Sequence, residues 1–379
     1  MNAVISKNLL NTLISDKCAV AFKLNLITSF KKKYNISQAM KKVLILLFPV
    51  LIVFATQAQD GEPFIKKSFA NESVDNVYAR TSGGSISVQG GEGPTRVEVF
   101  IRGNNGRSLS ESEIKERILE DYKLVIKVED NELKVTAEPK DKIFNWKNAL
   151  SISFKLYVPT NVSTDLGTSG GSINMRNLSG RQNFSTSGGS LRLDRLSGQI
   201  KGRTSGGSIE VSNSKDNVDL STSGGSIKAE NCSGNVSLST SGGSIKLENL
   251  SGTVKANTSG GPIRGDKIKG ELTAHTSGGS IDLLGLECSV DASTSGGSMD
   301  IEVIKLEEFV TVHNSGGSVD LRLPANKGLD LKLRGNRIHF ENMQNFSGNK
   351  EDDKLDGKIN GGGIPVNVQT SGRVSIALN

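Results

Sequence analysis

Thr240-Ser241-Gly242-Gly243-Ser244-Ile245-Lys246-Leu247-Glu248-Asn249-Leu250-Ser251-Gly252-Thr253-Val254-Lys255-Ala256-Asn257 is one unit of a run of near-copies. Its opening tetrapeptide recurs at Thr168, Thr186, Thr204, Thr222, Thr240, Thr258, Thr276 and Thr294, each start 18 residues after the last. A variant, Asn314-Ser315-Gly316-Gly317, follows 20 residues after Thr294. An outlying copy opens at Thr81, and a fragment, Thr370-Ser371-Gly372, lies near the C-terminus. Self-similarity at a fixed period with no insertion means a stacked array of identical units.

Within the unit, Ile245 and Leu247, then Val254 and Ala256, alternate with polar residues. Period-two alternation bounded by Gly and Ser predicts two short half-buried strands, and no window carries apolar residues at helical spacing long enough to fill a unit. A leucine-rich or helical repeat is excluded. The gapless repetition favours an all-β, single-chain β-solenoid (β-helix) with 18-residue coils over a chain of hairpins. Equivalent positions then stack about 4.8 Å apart. One inward ladder is Ile173, Leu191, Ile209, Ile227, Ile245, Ile263, Ile281 and Met299; the other is Ile200, Val218, Val236, Val254, Leu272 and Val290. Each such residue contributes about 1.5–3 kcal/mol on burial, which substitutes for an aromatic core. The glycine doublet is assigned to bends that need positive φ and close approach between coils. Asn177, Asn213, Asn231 and Asn249 share one turn position and are expected to form an amide ladder.

The flanks read as parts of the same body. Residues 97–101, 124–128, 133–137 and 152–158 alternate as strands. Between them, Ser110-Glu111-Ser112-Glu113 resembles a capping box, which predicts one short helix over 113–122 in an N-terminal insertion or cap. Residues 357–363 and 374–378 are expected to close the far end, because a solenoid with a bare edge polymerises.

Upstream, Met40-Lys41-Lys42, an apolar run over 43–54 and Ala55-Thr56-Gln57-Ala58 have the parts of a secretory signal, with Gln59 as the mature N-terminus. The run is too short to span a bilayer, which takes about 20 residues. Residues 1–39 precede that signal and are read as a mis-assigned upstream start. The predicted organisation is thus 1–39 upstream, 40–58 signal peptide, 59–165 N-terminal coils with the helix-bearing insertion, 166–324 regular solenoid and 325–379 C-terminal coils and cap. Export through the inner membrane, to the periplasm, cell surface or medium, follows, with no membrane span in the mature chain.

Composition narrows the function. The 379-residue chain carries 43 Gly and 5% aromatics, with a net charge of +6. Eight lysines and one acidic residue precede Gln59, so the remainder stands at −1 and nucleic-acid binding loses its main support. Cys18 leaves with the N-terminus; Cys232 and Cys288 fall about three coils apart, beyond the roughly 7 Å reach of a disulfide, and are read as apolar fillers. His275 and His313 occupy the outward slot before a tetrapeptide, and neither they nor His339 lie at ligand spacing. There is no Gly-x-Ser-x-Gly elbow ahead of a helix, no phosphate loop with Gly-Lys-Ser/Thr, and no Asp among the turn glycines as calcium-binding rolls require. No catalytic, cofactor-binding or metal residue is therefore assigned.

Two outward rows carry alternating charge: Asn174, Arg192, Glu210, Lys228, Lys246, Arg264, Asp282 and Asp300, beside Arg176, Asp194, Ser212, Glu230, Glu248, Asp266, Leu284 and Glu302. They read as a solvated, ion-paired face, each pair worth under about 1 kcal/mol; the alternative is a polysaccharide groove. A single file of stacked Thr at a glycine corner lacks the second parallel row that an ice-binding array needs.

The repeated Thr-Ser-Gly-Gly-Ser-Ile, the Gly-Lys-Ile-Asn-Gly-Gly-Gly ending and the secretion signal resemble a bacterial family of candidate adhesins with β-strand repeats, a domain of unknown function. The resemblance covers residues 65–379 and implies an exported β-helical protein with no family catalytic residues to carry over; the helix-bearing segment around 103–122 departs from it. The expected function is a non-enzymatic adhesin or cell-envelope structural or binding module, with an unknown envelope protein or polysaccharide as partner. The alternatives are a carbohydrate-active β-helix enzyme, lyase or hydrolase, and an envelope assembly or sensing protein that binds a protein partner.

Overall fold

The computed structural model of the chain describes residues 62–103, 109–140, 149–341 and 343–379. The signal-peptide and upstream readings lie outside these residues. The described chain is mostly β-strand, with the one helix at Glu111–Asp121, and is β-solenoid-like.

Long strands such as Ile173–Thr186, Leu191–Thr204 and Ile245–Thr258 each supply two segments separated by a bend. Over the regular run the segment after a glycine doublet stacks on other such segments, in parallel and in register: Ile173 on Leu191, Leu191 on Ile209, Ile209 on Ile227 and so on to Met299. We call this the leading face. The segment that runs into the next Thr forms the trailing face, where Ile200, Val218, Val236, Val254, Leu272 and Val290 stack likewise. Both expected ladders are buried and belong to one apolar cluster. A zero-gap period puts chemically equivalent side chains on adjacent rungs, so the pairing register and the burial pattern select the same alignment.

The interior departs from aliphatic uniformity at instructive places. Phe184 stacks on Gly202, and a Cβ on Gly202 would overlap the Phe184 ring, so the bulk of one rung occupies the space left by the next. Gln182 holds the ladder slot next to Ile200 and is fully buried; Thr164 Oγ1 donates to its Oε1 (2.8 Å) and its Nε2 donates to the Val162 carbonyl (2.8 Å). A buried amide with both ends paired is tolerated.

The ends are built differently from the middle. Asn76–Thr81 and Ile86–Gly91 stack directly beneath Ser163–Thr168 and the start of Ile173–Thr186, so the outlying tetrapeptide at Thr81 takes its place in the file despite its distance in sequence. Beyond this rung lies one made of later residues, Glu132–Pro139 and Leu150–Pro159. The C-terminal end mirrors this: Ile364–Thr370 and Arg373–Leu378 slot between the last regular rung and the earlier strands Leu329–Arg334 and Arg337–Phe340. At each end, therefore, a segment close to the chain terminus, 76–91 or 364–378, is clamped between two rungs.

Outside these rungs the pairing turns antiparallel. Tyr122–Glu129 covers Glu132–Pro139; Arg96–Gly103 and Ile65–Ser68 extend the sheet from Leu150–Pro159; Lys354–Ile359 and Phe346–Lys350 extend it from Leu329–Arg334. Of the expected flanking strands, those at 133–137, 152–158 and 374–378 lie in parallel rungs, whereas those at 97–101 and 124–128 lie in antiparallel ribbons. Short charged or glycine-bearing edges such as Ile65-Lys66-Lys67-Ser68 oppose edge-to-edge association. The helix begins two residues earlier than predicted, with Ser110 and Glu113 forming the reciprocal capping box, and seats Ile114 against the core.

Candidate functional surface

The doublet bends form a continuous hydrogen-bonded file. Thr186 Oγ1 donates to the carbonyl of Gly171 on the rung below (2.8 Å) and accepts from Gly189 N on its own rung (3.2 Å). Thr168, Thr204, Thr222, Thr240, Thr258 and Thr276 repeat both bonds. Asn314 performs the same task with an amide: Nδ2 donates to the Gly297 carbonyl (2.7 Å) and Oδ1 accepts from Gly316 N and Gly317 N (3.0 Å each). Thr370 carries the file onward to Gly317 (2.6 Å). These Thr side chains are buried, so they offer no exposed array to ice.

The glycine reading needs correction. None of the doublet glycines has positive φ. The second of each pair is demanded by space alone, since a Cβ there would collide with the carbonyl of the second glycine below. A Cβ on the first would meet its nearest neighbour at 3.5–3.8 Å, an ordinary contact, except at Gly316, where the Ser295 carbonyl lies at 3.1 Å. Positive φ belongs to the opposite bend, at Gly180, Gly198, Gly234, Gly252 and Gly270 and at Asn177, Arg195, Asn213, Asn231, Asn249 and Lys267. The amide ladder is partial: Asn249 donates to Asn231 (2.7 Å) and Asn231 to Asn213 (3.4 Å), but Arg195 interrupts it and Asn213 turns to Asp194 (2.9 Å). Asp216 occupies a glycine slot with φ 77°, and its carboxylate accepts from Gly198 N (2.9 Å).

The two faces differ in how their charges are used. On the leading face Lys228 bridges Glu230 (2.8 Å) and Glu248 (3.5 Å), and Lys246 holds Glu248 (2.6 Å). Arg176 meets Asp194 (3.3 Å), Arg264 meets Asp282 (3.5 Å), and Arg322 meets Asp300 (2.8 Å). Burial works against ionisation of Asp194, yet hydrogen bonds from Asn213 and Ser212 and the charges of Arg195 and Arg176 hold its carboxyl below the usual range. This is the expected ion-paired face.

The trailing face contains a groove that the sequence reading did not single out. One row of its lining is Arg181, Gln199, Asn217, Asn235 and Thr253, and beside it stand Lys201, Asp219 and Lys255. Asn235 Nδ2 donates to Asn217 Oδ1 (3.0 Å). The groove continues past Arg181 and Asn183 to Tyr78, Glu132 and Asp165, where Arg80 lies 4.6 Å from the Tyr78 ring centre and pairs with Asp165 (2.8 Å). The signal was available in the spacing of the row two residues before each trailing-ladder residue's outward neighbour, but only the stacking shows which cations lack partners.

The remaining candidates lie apart. His275 sits 3.5 Å from Asp291 on the trailing face, and His339 3.3 Å from Glu341 near the C-terminus. Cys232 and Cys288 are free and buried in different slots; burial, reinforced by Glu307, pushes the Cys288 thiol up to about 12. Among the described residues no cluster of three or more His, Cys, Asp or Glu is arranged to hold a metal, and no helix is long and apolar enough to cross a membrane.

A family model described as Toastrack DUF4097 matches residues 95–308, more than half of the chain. No curated protein matches. Three solved structures align over most of this chain: a candidate cell adhesion protein from Clostridium sporogenes (12% identity, 84% of this chain and 100% of that one, TM-score 0.18), a candidate adhesin from Bacteroides fragilis (13%, 83% and 96%, 0.23) and a candidate lipid-binding protein from Parabacteroides distasonis (12%, 84% and 97%, 0.28). At these TM-scores the likenesses carry no argument about this chain.

Proposed function

The chain belongs to the Toastrack DUF4097 family, and on that premise we propose that it is an exported, non-enzymatic β-solenoid that serves as an adhesin or binding module of the cell envelope. The proposal includes cleavage of a signal peptide over 40–58, translation from Met40, and the division into coils at 59–165, 166–324 and 325–379 given above. The observation that carries it is the use of the repeated groups. The buried Thr hydroxyls and glycines of each rung are spent on stacking, and what each rung adds to the outside is another increment of the same two faces. A long surface built from repeated, in-register increments suits contact with an extended partner, whereas a reaction needs a few unlike groups brought together at one place.

Two measurements test this. Cell fractionation with protease shaving should recover the protein lacking residues 1–58 in the periplasm, on the surface or in the medium; recovery of an uncleaved cytoplasmic chain would refute export. Purified protein incubated with acidic and neutral polysaccharides should bind without shortening them, and new chain ends that disappear on neutralising one face would establish the enzymatic alternative.

A further inference from the structure

We infer that the trailing-face groove is a binding site for an acidic polysaccharide laid along the stack axis; this rests on the binding-module reading above and specifies its ligand. Four observations converge on it. Arg181, Lys201 and Lys255 line the groove, and none of them makes an ion pair or side-chain hydrogen bond among the described residues, in contrast to Lys228 and Lys246 of the leading face. Asp219 is the one acidic side chain lining the same stretch, so the groove is cationic on a body whose formal charge is close to zero.

The lining between the cations includes Gln199, Asn217 and Asn235, whose amides both donate and accept, as hydroxyl-rich ligands require. The lining runs over five consecutive rungs, from Arg181 to Lys255, which at about 4.8 Å per rung is roughly 19 Å. That span fits several sugar units and exceeds any single small anion. A peptide is the poorer match. The lining Ile200, Val218 and Val236 are buried in the core, so the groove offers no apolar pocket for peptide side chains, and the parallel strands beneath it are already paired on both sides.

The site is tested with purified protein and polygalacturonate as the uronate polymer, dextran as the neutral one, and poly-glutamate and a single-stranded oligonucleotide as other polyanions. Polygalacturonate should bind in a salt-sensitive manner and dextran should not. The triple variant Arg181→Gln/Lys201→Gln/Lys255→Gln should weaken binding about tenfold, the summed effect of three exposed charge contacts. Lys228→Gln on the leading face should leave it unchanged. All substituted positions are exposed or partly so, and unaltered thermal unfolding of the variants checks that they fold.

Equal binding of dextran, tighter binding of poly-glutamate or the oligonucleotide than of polygalacturonate, or an undiminished triple variant would each overturn the assignment. Retention on envelope preparations that the triple variant shares would remove the groove and leave the binding-module reading intact. Depolymerisation of polygalacturonate would instead remove the non-enzymatic reading itself.

Discussion

At the doublet bend the backbone angles lie outside the positive-φ region, and a threonine hydroxyl ties one rung to the next; at the opposite bend the chain turns through two residues of positive φ. Glycine is repeated at both, yet for unlike reasons. At the first it makes room for a neighbouring carbonyl, and at the second it supplies a conformation that side chains resist. Where the second bend lacks glycine, Asp216 holds the strained angle while its carboxylate accepts a hydrogen bond from Gly198 N. Residue identity at a bend thus reports a constraint without saying which one.

Substitutions separate the two constraints. The largest effect is expected within a single doublet. Gly189→Ala drives a methyl into the Gly171 carbonyl and should cost about 3–5 kcal/mol in denaturant unfolding, whereas Gly188→Ala should stay within about 0.5 kcal/mol. Equal losses at the two positions would erase the distinction between them.

Next comes the hydroxyl file. Thr222→Val removes the bonds to Gly207 O and Gly225 N and should cost about 1–3 kcal/mol. Thr222→Asn should recover part of this, because Asn314 already serves in that role. Failure of Asn to outperform Val would show that Asn314 works only with the two extra residues of its own rung.

At the opposite bend, Asp216→Ala keeps the positive φ and loses the hydrogen bond, so it should destabilise by about 1–2 kcal/mol. Asp216→Gly relieves the angle while losing the same bond and should lie within about 1 kcal/mol of wild type. The reverse order would remove strain from the account of this bend.

The smallest effect concerns pH. The folded-state pKa of Asp194 is depressed, so its stabilisation is complete above the unfolded carboxylate value and is lost as pH falls through the folded one. Asp194→Asn should therefore flatten the acid limb of stability slightly, with the neutral-pH value little changed because the group is partly exposed. A steeper acid limb in the variant would contradict the assigned sign.

Much of the fold was legible because its period is strict. The ladders Ile173 to Met299 and Ile200 to Val290 follow from spacing alone, and the strand register pairs the same residues. The helix was visible in Ser110 and Glu113, whose capping is local. The groove was not legible: Lys201, Lys255 and Arg181 look no different in sequence from Lys228 or Lys246, and pairing depends on where neighbouring rungs place their carboxylates. Cause of the glycine requirement was equally hidden, since both bends repeat at 18 residues.

By itself, then, the sequence determined what repeats: the two-strand unit, its inward aliphatic positions and the stacking of equivalent positions, all of which follow from alternation and a constant interval. Tertiary structure alone decided how the stack begins and ends. Residues 76–91 and 364–378 are each inserted between rungs that come from a different part of the chain, and the pairing outside them reverses to antiparallel. A strand in register with two neighbours buries its apolar side and pairs its backbone on both edges wherever it lies in the sequence, so order in space is set by which edges remain to be covered and not by order along the chain.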